Sequence, residues 1–170
     1  MERIFLGLGS NRGDSLAILE GALEELGRGL EGLRASSIWR SEARYLLDQP
    51  PFLNLVVEAR TDLPPLELLA FTQVVEAGFG RDRSREIPKG PRSLDIDILL
   101  YGEQRIELPG LVLPHPGIEE RRFVLLPLLE LDGSLGHPLT GLGFLASLAA
   151  LPPQGIYLLK PRSYDLPYIY

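Results

Sequence analysis

The 170-residue chain contains no cysteine. That excludes disulfides, thiol nucleophiles and cysteine-ligated zinc, and it leaves the redox compartment open. It also lacks a G-x-x-x-x-G-K-[ST] run, which excludes a mononucleotide kinase of the P-loop type. No apolar stretch approaches the length of a membrane span, and the N-terminus has no basic region followed by an apolar signal core. No membrane partner and a cytoplasmic location are therefore expected. Lysine is scarce: among 17 basic residues only Lys89 and Lys160 are lysines, so the positive charge is nearly all arginine. The net charge of −6 argues against a general nucleic-acid binder, which wants a positive surface.

What is present reads as an ordinary globular composition, 45% hydrophobic and 24% charged, and the length suits a single domain over residues 1–170. No repeat and no linker interrupts it, and a monomer is expected. Against the acidic background, residues 81–92 carry five basic and two acidic side chains. Positive charge focused in this way suits a compact anion such as a nucleotide triphosphate.

The pattern of elements is β-α-β-β-α-β. Arg3 to Leu8 is a short apolar strand running into a turn-rich loop, where Asp14 or Ser15 can cap a helix. That helix spans roughly Leu16 to Leu30, with Leu16, Leu19, Leu23 and Leu26 on one stripe. Gly7-x-Gly9-x-x-x-Gly13 lacks the spacing of a dinucleotide loop and reads as an ordinary glycine turn. A second strand runs from about Leu33 to Arg40, followed by an irregular stretch from Ser41 to Pro51. The third strand, Phe52 to Ala59, places Phe52, Asn54 and Val56 on one face. Asn54 is either a solvent-face residue or a buried reader of hydrogen-bonding edges. Pro64-Pro65 opens a second helix, Leu66 to about Ala77. Glu76 near its C-terminus is either solvated or matched by a positive partner.

The fourth strand, Leu94 to Tyr101, carries the most informative pattern. Alternation puts Asp95 and Asp97 on one face, roughly 6–7 Å apart along the chain, and Leu94, Ile96, Ile98 and Leu100 on the other. Two like charges on one strand face repel, so a positive group should sit between them. Divalent cations bound with a polyphosphate would satisfy both the acids and the preceding arginines. The bland alternative is the wet face of a half-exposed sheet beside a solvated loop. Beyond it, Gln104 to Leu108 can pair back as a hairpin strand, and Leu111 to Pro116 is extended. Glu119 to Leu131 is expected to be helical, interrupted or kinked at Pro127. The tail from Asp132 shows no chemistry, and His137 reads as structural. The element order predicts an α+β, ferredoxin-like βαββαβ sandwich, an antiparallel sheet backed by helices. That fold alone decides no chemistry.

Four stretches, in order, carry a family likeness: Leu8-Gly9-Ser10-Asn11; Asp48-Gln49-Pro50 with Phe52-Leu53-Asn54; Gly80-Arg81-x-Arg83 through Gly90-Pro91-Arg92-Ser93-Leu94-Asp95-Ile96-Asp97; and Pro114-His115 with Arg121-x-Phe123. The chain resembles the 6-hydroxymethyl-7,8-dihydropterin pyrophosphokinases of folate biosynthesis. The resemblance implies transfer of a diphosphoryl group from the co-substrate ATP to the pterin hydroxymethyl oxygen, releasing AMP. It implies that Asp95 and Asp97 hold two Mg²⁺ ions, with Arg81, Arg92 and Asp97 as the catalytic set. Ser41, Phe52, Asn54, Asp95 and Phe123 would line the pterin site. Gln73, Glu76, Arg83, Arg92, Ile98, Leu111, Val112, His115 and Arg121 would line the nucleotide site. Two departures stand out: Phe52 replaces a common tyrosine, and Pro88-Lys89 stand where an arginine and an aromatic are usual.

Phosphoryl-type transfer depends mainly on positioning and charge stabilisation, which these residues suit. The proton acceptor is Asp97, a metal-bound hydroxide or His115, and His115 could equally bind phosphate or be structural. The polar loops 42–50 and 81–92 are expected to close over substrate. Two rival classes remain in view. A small-molecule sensor on the same fold would leave the two acids as a wet face. An RNA binder would need surface aromatics on the central strands, where Ile96 and Ile98 stand instead.

Overall fold

The computed structural model describes residues 1–43, 48–85 and 87–162. β1 (Glu2–Ser10) leads to α1 (Ser15–Gly29), then β2 (Glu31–Ala35), β3 (Ile38–Ser41) and β4 (Phe52–Thr61). α2 (Pro65–Gly78) and β5 (Asp95–Tyr101) follow, then the hairpin of β6 (Ile106–Leu108) and β7 (Leu111–Leu113). A 3-10 turn (Ile118–Glu120), α3 (Arg122–Leu131), α4 (Phe144–Ala150) and β8 (Ile156–Lys160) complete the described order. The main sheet runs β5-β1-β4-β3-β8, with β2 also against β4, and its neighbours are antiparallel. With β2 and β3 taken as one broken strand, this is the ferredoxin-like order extended by β8.

Asp14 caps α1, its carboxylate accepting from the Ala17 amide. Leu19, Ala22 and Leu26 then face the sheet. Gly21 and Gly29 let α2 approach closely: a Cβ at either would strike Phe79 or Phe71 at under 3 Å. α1 and α2 cover one sheet face, where Ile4, Leu6, Leu8, Leu55, Val57, Leu94, Ile96 and Ile98 form the main core. On the other face, Phe5, Val56, Leu99 and Leu100 pack with Leu125, Leu128 and Phe144 from α3 and α4.

Three expectations need correction. The strand expected over 33–40 is split at Ser36-Ser37, where Ser36 still donates its amide to the Val56 carbonyl at 2.9 Å. The Ser36 hydroxyl accepts from the Val56 amide at 2.9 Å and so satisfies the gap. Leu100 does not share a face with Ile98. Phe5 pairs with Leu100 and Leu6 with Ile98, so Leu99 is an extra residue, a bulge that turns Leu100 to the opposite face. The helix expected over 119–131 breaks at Arg121, whose backbone is extended, and α3 runs on through Pro127. The tail from Asp132, read as showing no chemistry, supplies α4 to the second core and β8 to the sheet edge.

Candidate active site

The open part of the second sheet face forms the floor of a cleft of about 550 Å³. β1, β4 and β5 lie side by side there, with Gly7 opposite Asp97 and Val56, and Gly9 opposite Asp95 and Asn54. Glycine keeps this floor low. A Cβ at Gly9 would sit 3.4 Å from Asn54 Oδ1, and one at Gly7 the same distance from Leu99. The glycines of the Gly7-x-Gly9 run are therefore strand residues beneath a cleft, not part of a phosphate loop.

Asp95 and Asp97 share the floor but differ in surroundings. Asp95 is matched twice, by Arg81 at one oxygen and by Arg92 Nη1 at the other, 2.6 Å away. Arginine thus supplies part of the positive charge expected beside the acids. Arg81 is only 6% exposed and is gripped from behind by Glu76, which is 1% exposed. The Glu76 carboxylate accepts from Arg81 Nη1 at 2.5 Å, from Arg83 Nη2 at 2.7 Å and from the Ile96 amide at 2.7 Å. The solvated alternative for Glu76 is excluded, and this buried acid aims the arginine pair.

Asp97 has weaker company. His115 Nε2 and Arg121 Nη1 each lie 3.7 Å from its Oδ2, beyond a good hydrogen bond. The side chain is 39% exposed and lines the cleft. Burial, and then the neighbouring Asp95 charge, push its carboxyl up to about 6. Burial and the Arg121 charge push His115 down to about 4, so the imidazole is neutral near pH 7. Its Nδ1 accepts from the Gly117 amide at 3.0 Å, which assigns the ring proton to Nε2 on the Asp97 side. His115 therefore offers a donor toward Asp97. Arg121 has a buried Nε with no hydrogen-bond partner among the described residues.

On the far wall, Asn54 is 6% exposed and its amide nitrogen donates to the Ser41 hydroxyl at 2.8 Å. Phe52 and Phe123 line the same cleft. An anchored amide flanked by aromatic surface suits a flat heterocycle with polar edges.

Residues 5–133 match the family model described as 7,8-dihydro-6-hydroxymethylpterin-pyrophosphokinase, or HPPK. The chain belongs to this family. The 2-amino-4-hydroxy-6-hydroxymethyldihydropteridine pyrophosphokinase of Aquifex aeolicus is 41% identical over 139 residues, covering 82% of this chain and 86% of that one. Its namesake from Methylorubrum extorquens is 41% identical over 158 residues, covering 92% of this chain and 98% of that one. The folic acid synthesis protein fol1 of Pneumocystis carinii is 37% identical over 96% of this chain. The chain spans only 23% of that protein and 21% of its Schizosaccharomyces pombe counterpart. In structure, the chain resembles wild-type HPPK-DHPS from Plasmodium falciparum crystallised with pteroate. That likeness has a TM-score of 0.71 at 16% identity, covers 87% of this chain and 42% of that one, and bears on the fold alone.

Within this HPPK chain, Ser41, Phe52, Asn54, Arg81, Arg83, Arg92, Asp95, Asp97, His115, Arg121 and Phe123 meet in the one cleft. Gln73 and Glu76 line a smaller neighbouring cleft of about 330 Å³, to which Arg81 and Arg83 also contribute. Ile98, Leu111 and Val112 come to neither. The first two are packed in the main core and Val112 is exposed. Closure of loops 42–50 and 81–92 involves residues 44–47 and Glu86, which lie outside the described residues. Sequence reasoning assigned no role to Gly7, Gly9, Asn11 or Gln49. The available signal was the placement of the last two amides inside the quoted motifs.

Among the described residues, no group of three or more His, Cys, Asp or Glu side chains is arranged to hold a metal ion. Also among them, no helix is long and apolar enough to cross a membrane.

Proposed function

We propose that this cleft catalyses transfer of the diphosphoryl group of ATP to the hydroxymethyl oxygen of 6-hydroxymethyl-7,8-dihydropterin, the folate-pathway step for which the family is named. The alcohol oxygen bonds to the β-phosphorus, the bond between that phosphorus and the α–β bridging oxygen breaks, and AMP departs. The observation that carries this reading is one cleft that brings the weakly matched Asp97, Arg121 with its buried Nε, the anchored Asn54 amide and two aromatic rings together.

The roles follow from position. Asn54, fixed by Ser41, reads the pterin edge, and Phe52 and Phe123 pack on its ring. Arg81, Arg83, Arg92 and Arg121 bind phosphate oxygens and offset the charge that builds on the leaving bridging oxygen. His115 donates from Nε2 to a phosphate oxygen. Because its Nδ1 lone pair is already engaged, it is not the base. The proton of the attacking alcohol leaves toward Asp97 or a water beside it. Asp95 and Asp97 would hold Mg²⁺: two carboxylates with phosphate oxygens suit a hard cation, and Asp97 is met by Arg121 only at 3.7 Å. Such ions, when bound, neutralise the polyphosphate and polarise the phosphorus.

The test is AMP release from MgATP with and without the hydroxymethyl pterin. Pterin-dependent AMP is expected. ADP as the product, or hydrolysis indifferent to pterin, overturns the proposal.

A further inference from the structure

Asn11 follows β1 directly, is 4% exposed and has all its side-chain hydrogen-bonding groups engaged. Its Oδ1 accepts from the Arg92 amide at 2.9 Å. Its Nδ2 donates to the Pro50 carbonyl at 2.9 Å and to Gln49 Oε1 at 3.1 Å. Its own backbone amide donates to the Arg92 carbonyl at 3.1 Å. Gln49 closes the circuit, its Nε2 donating to the Lys89 carbonyl at 3.1 Å. Lys89 has a φ of 62°, which a non-glycine residue holds only where its surroundings impose it.

This ring joins two segments far apart in sequence. The first, Gln49-Pro50, leads into Phe52 and Asn54 on the pterin wall. The second, Lys89 to Arg92, leads into Asp95 on the phosphate wall. Gln49, Lys89 and Arg92 line the cleft, whereas Asn11 stands behind them and does not. Asn11 therefore acts on a ligand only through the segments it holds.

We propose that Asn11 is a positioning residue that couples the two substrate sites, so that ordering one segment around its ligand favours the bound arrangement of the other. The identity of the two ligands rests on the function proposed above. Asparagine suits the place because one planar group supplies an acceptor for Arg92 and two donors for Gln49 and Pro50. Aspartate would keep the acceptor but turn a carboxylate against two oxygens, cutting the pterin-side arm alone. Coupling of this kind is reciprocal: each ligand tightens the other by the same factor.

Calorimetric titration provides the test, using the full chain, an unreactive α,β-methylene analogue of ATP with magnesium, and 6-hydroxymethylpterin. The readout is the ratio of the nucleotide Kd without and with saturating pterin. Wild type is expected to give a ratio of about tenfold, within the usual range for coupled sites. Asn11→Asp and Asn11→Ala are expected to bring the ratio to within about twofold of unity, while Kd for the analogue alone moves less than about threefold. A merely structural Asn11 would lower the melting temperature and leave the ratio at its wild-type value, which overturns the inference. Should the Asn11 variants fail to fold, Gln49→Ala, which removes the outer link of the ring, decides. A lost ratio there supports coupling, and a retained ratio overturns it. Wild type binding both ligands with a ratio of one overturns the coupling alone, whereas wild type binding neither brings down the proposed function and the coupling with it.

Discussion

Two halves of one sheet face lie a few residues apart on the same strands and differ in what stands over them. Around Phe5, Val56, Leu99 and Leu100 the face is roofed by α3 and α4 and is mostly apolar, though it carries the Arg3–Glu58 pair, with Arg3 over the Phe5 ring. Further along β1, β4 and β5 the same face carries Gly7, Gly9, Asn54, Asp95 and Asp97 beneath an open cleft. Roofing removes water, so apolar side chains are favoured there, and each adds packing free energy. Where the roof ends, water and ligand can solvate charge, and polar side chains become tolerable. A strand such as β5 thus serves stability at one end and chemistry at the other, and the Leu99 bulge marks the change.

The sharpest break of that comparison is to exchange the effects of the two halves. Asp97→Ala, in the open half, is expected to lower turnover by about a thousandfold, the scale of removing a group that meets charge in the transition state. Its melting temperature should not fall, since a poorly matched acid is removed. In the roofed half, Leu125→Ala is expected to cost about 3 kcal/mol of stability through the cavity it leaves. That corresponds to a melting temperature lower by roughly 10 °C. The KM values of the folded fraction should stay within about twofold, because no lining residue of the cleft is altered. Steady-state kinetics and thermal melts on both variants check the pair. A Leu125→Ala enzyme that is stable but inactive would erase the distinction.

The open half was the more legible in sequence, for a physical reason. Asp95-x-Asp97 on an apolar strand and Asn54 inside another are costly placements, so each announces itself as an exception to alternation. The roofed half left weaker signals. Leu99 and Leu100 are equally apolar, and nothing in a run of leucines says where a bulge turns one of them over. Ser36-Ser37 interrupts a strand by a side-chain bond to Val56 that depends on a partner 20 residues away. The role of α4 and β8 could not be read from a Gly-, Pro- and Leu-rich tail, because their helical and extended states are fixed by contacts with α3 and β3. Ile98 and Leu111, placed beside a nucleotide by family likeness, are packed in the main core, and their apolar character is compatible with either place.

Glu76 sharpens the comparison at the place where the two faces of the sheet meet. It rises from α2 on the helix-covered face, caps the Ile96 amide and holds Arg81 and Arg83, which reach round edge strand β5 to the cleft. Glu76→Gln keeps the shape but leaves Arg81 short of charge in a buried place. It is expected to cost about 3 kcal/mol of stability, the lower end for breaking a buried ion pair. It should also raise KM for ATP by about tenfold, because the two arginines lose their aim. Denaturant unfolding and nucleotide saturation curves measure the two effects. A change in only one of them would show that Glu76 belongs to one face rather than joining both.

The smallest effect, and the most diagnostic, concerns pH. Asp97 has its carboxyl raised from 3.8 to about 6, so the native state binds this proton more tightly than the unfolded chain. The resulting penalty is fully present above about pH 6 and is relieved as pH falls toward 3.8. His115 is lowered from 6.5 to about 4, so the unfolded chain takes up that proton first. Its contribution vanishes above pH 6.5 and becomes a growing penalty as pH falls toward 4. Between these limits the two groups oppose one another and nearly cancel in wild type. Single substitutions expose them. The stability advantage of Asp97→Asn over wild type should be largest at pH 7 and shrink on acidification. The advantage of His115→Gln should be absent at pH 7 and grow on acidification. Unfolding midpoints for both variants and wild type from pH 7 to pH 4.5 give the two differences directly. Differences that changed with pH in the same direction would mean that the open half of the face stores no uncompensated charge, and the contrast with the roofed half would reduce to polarity alone.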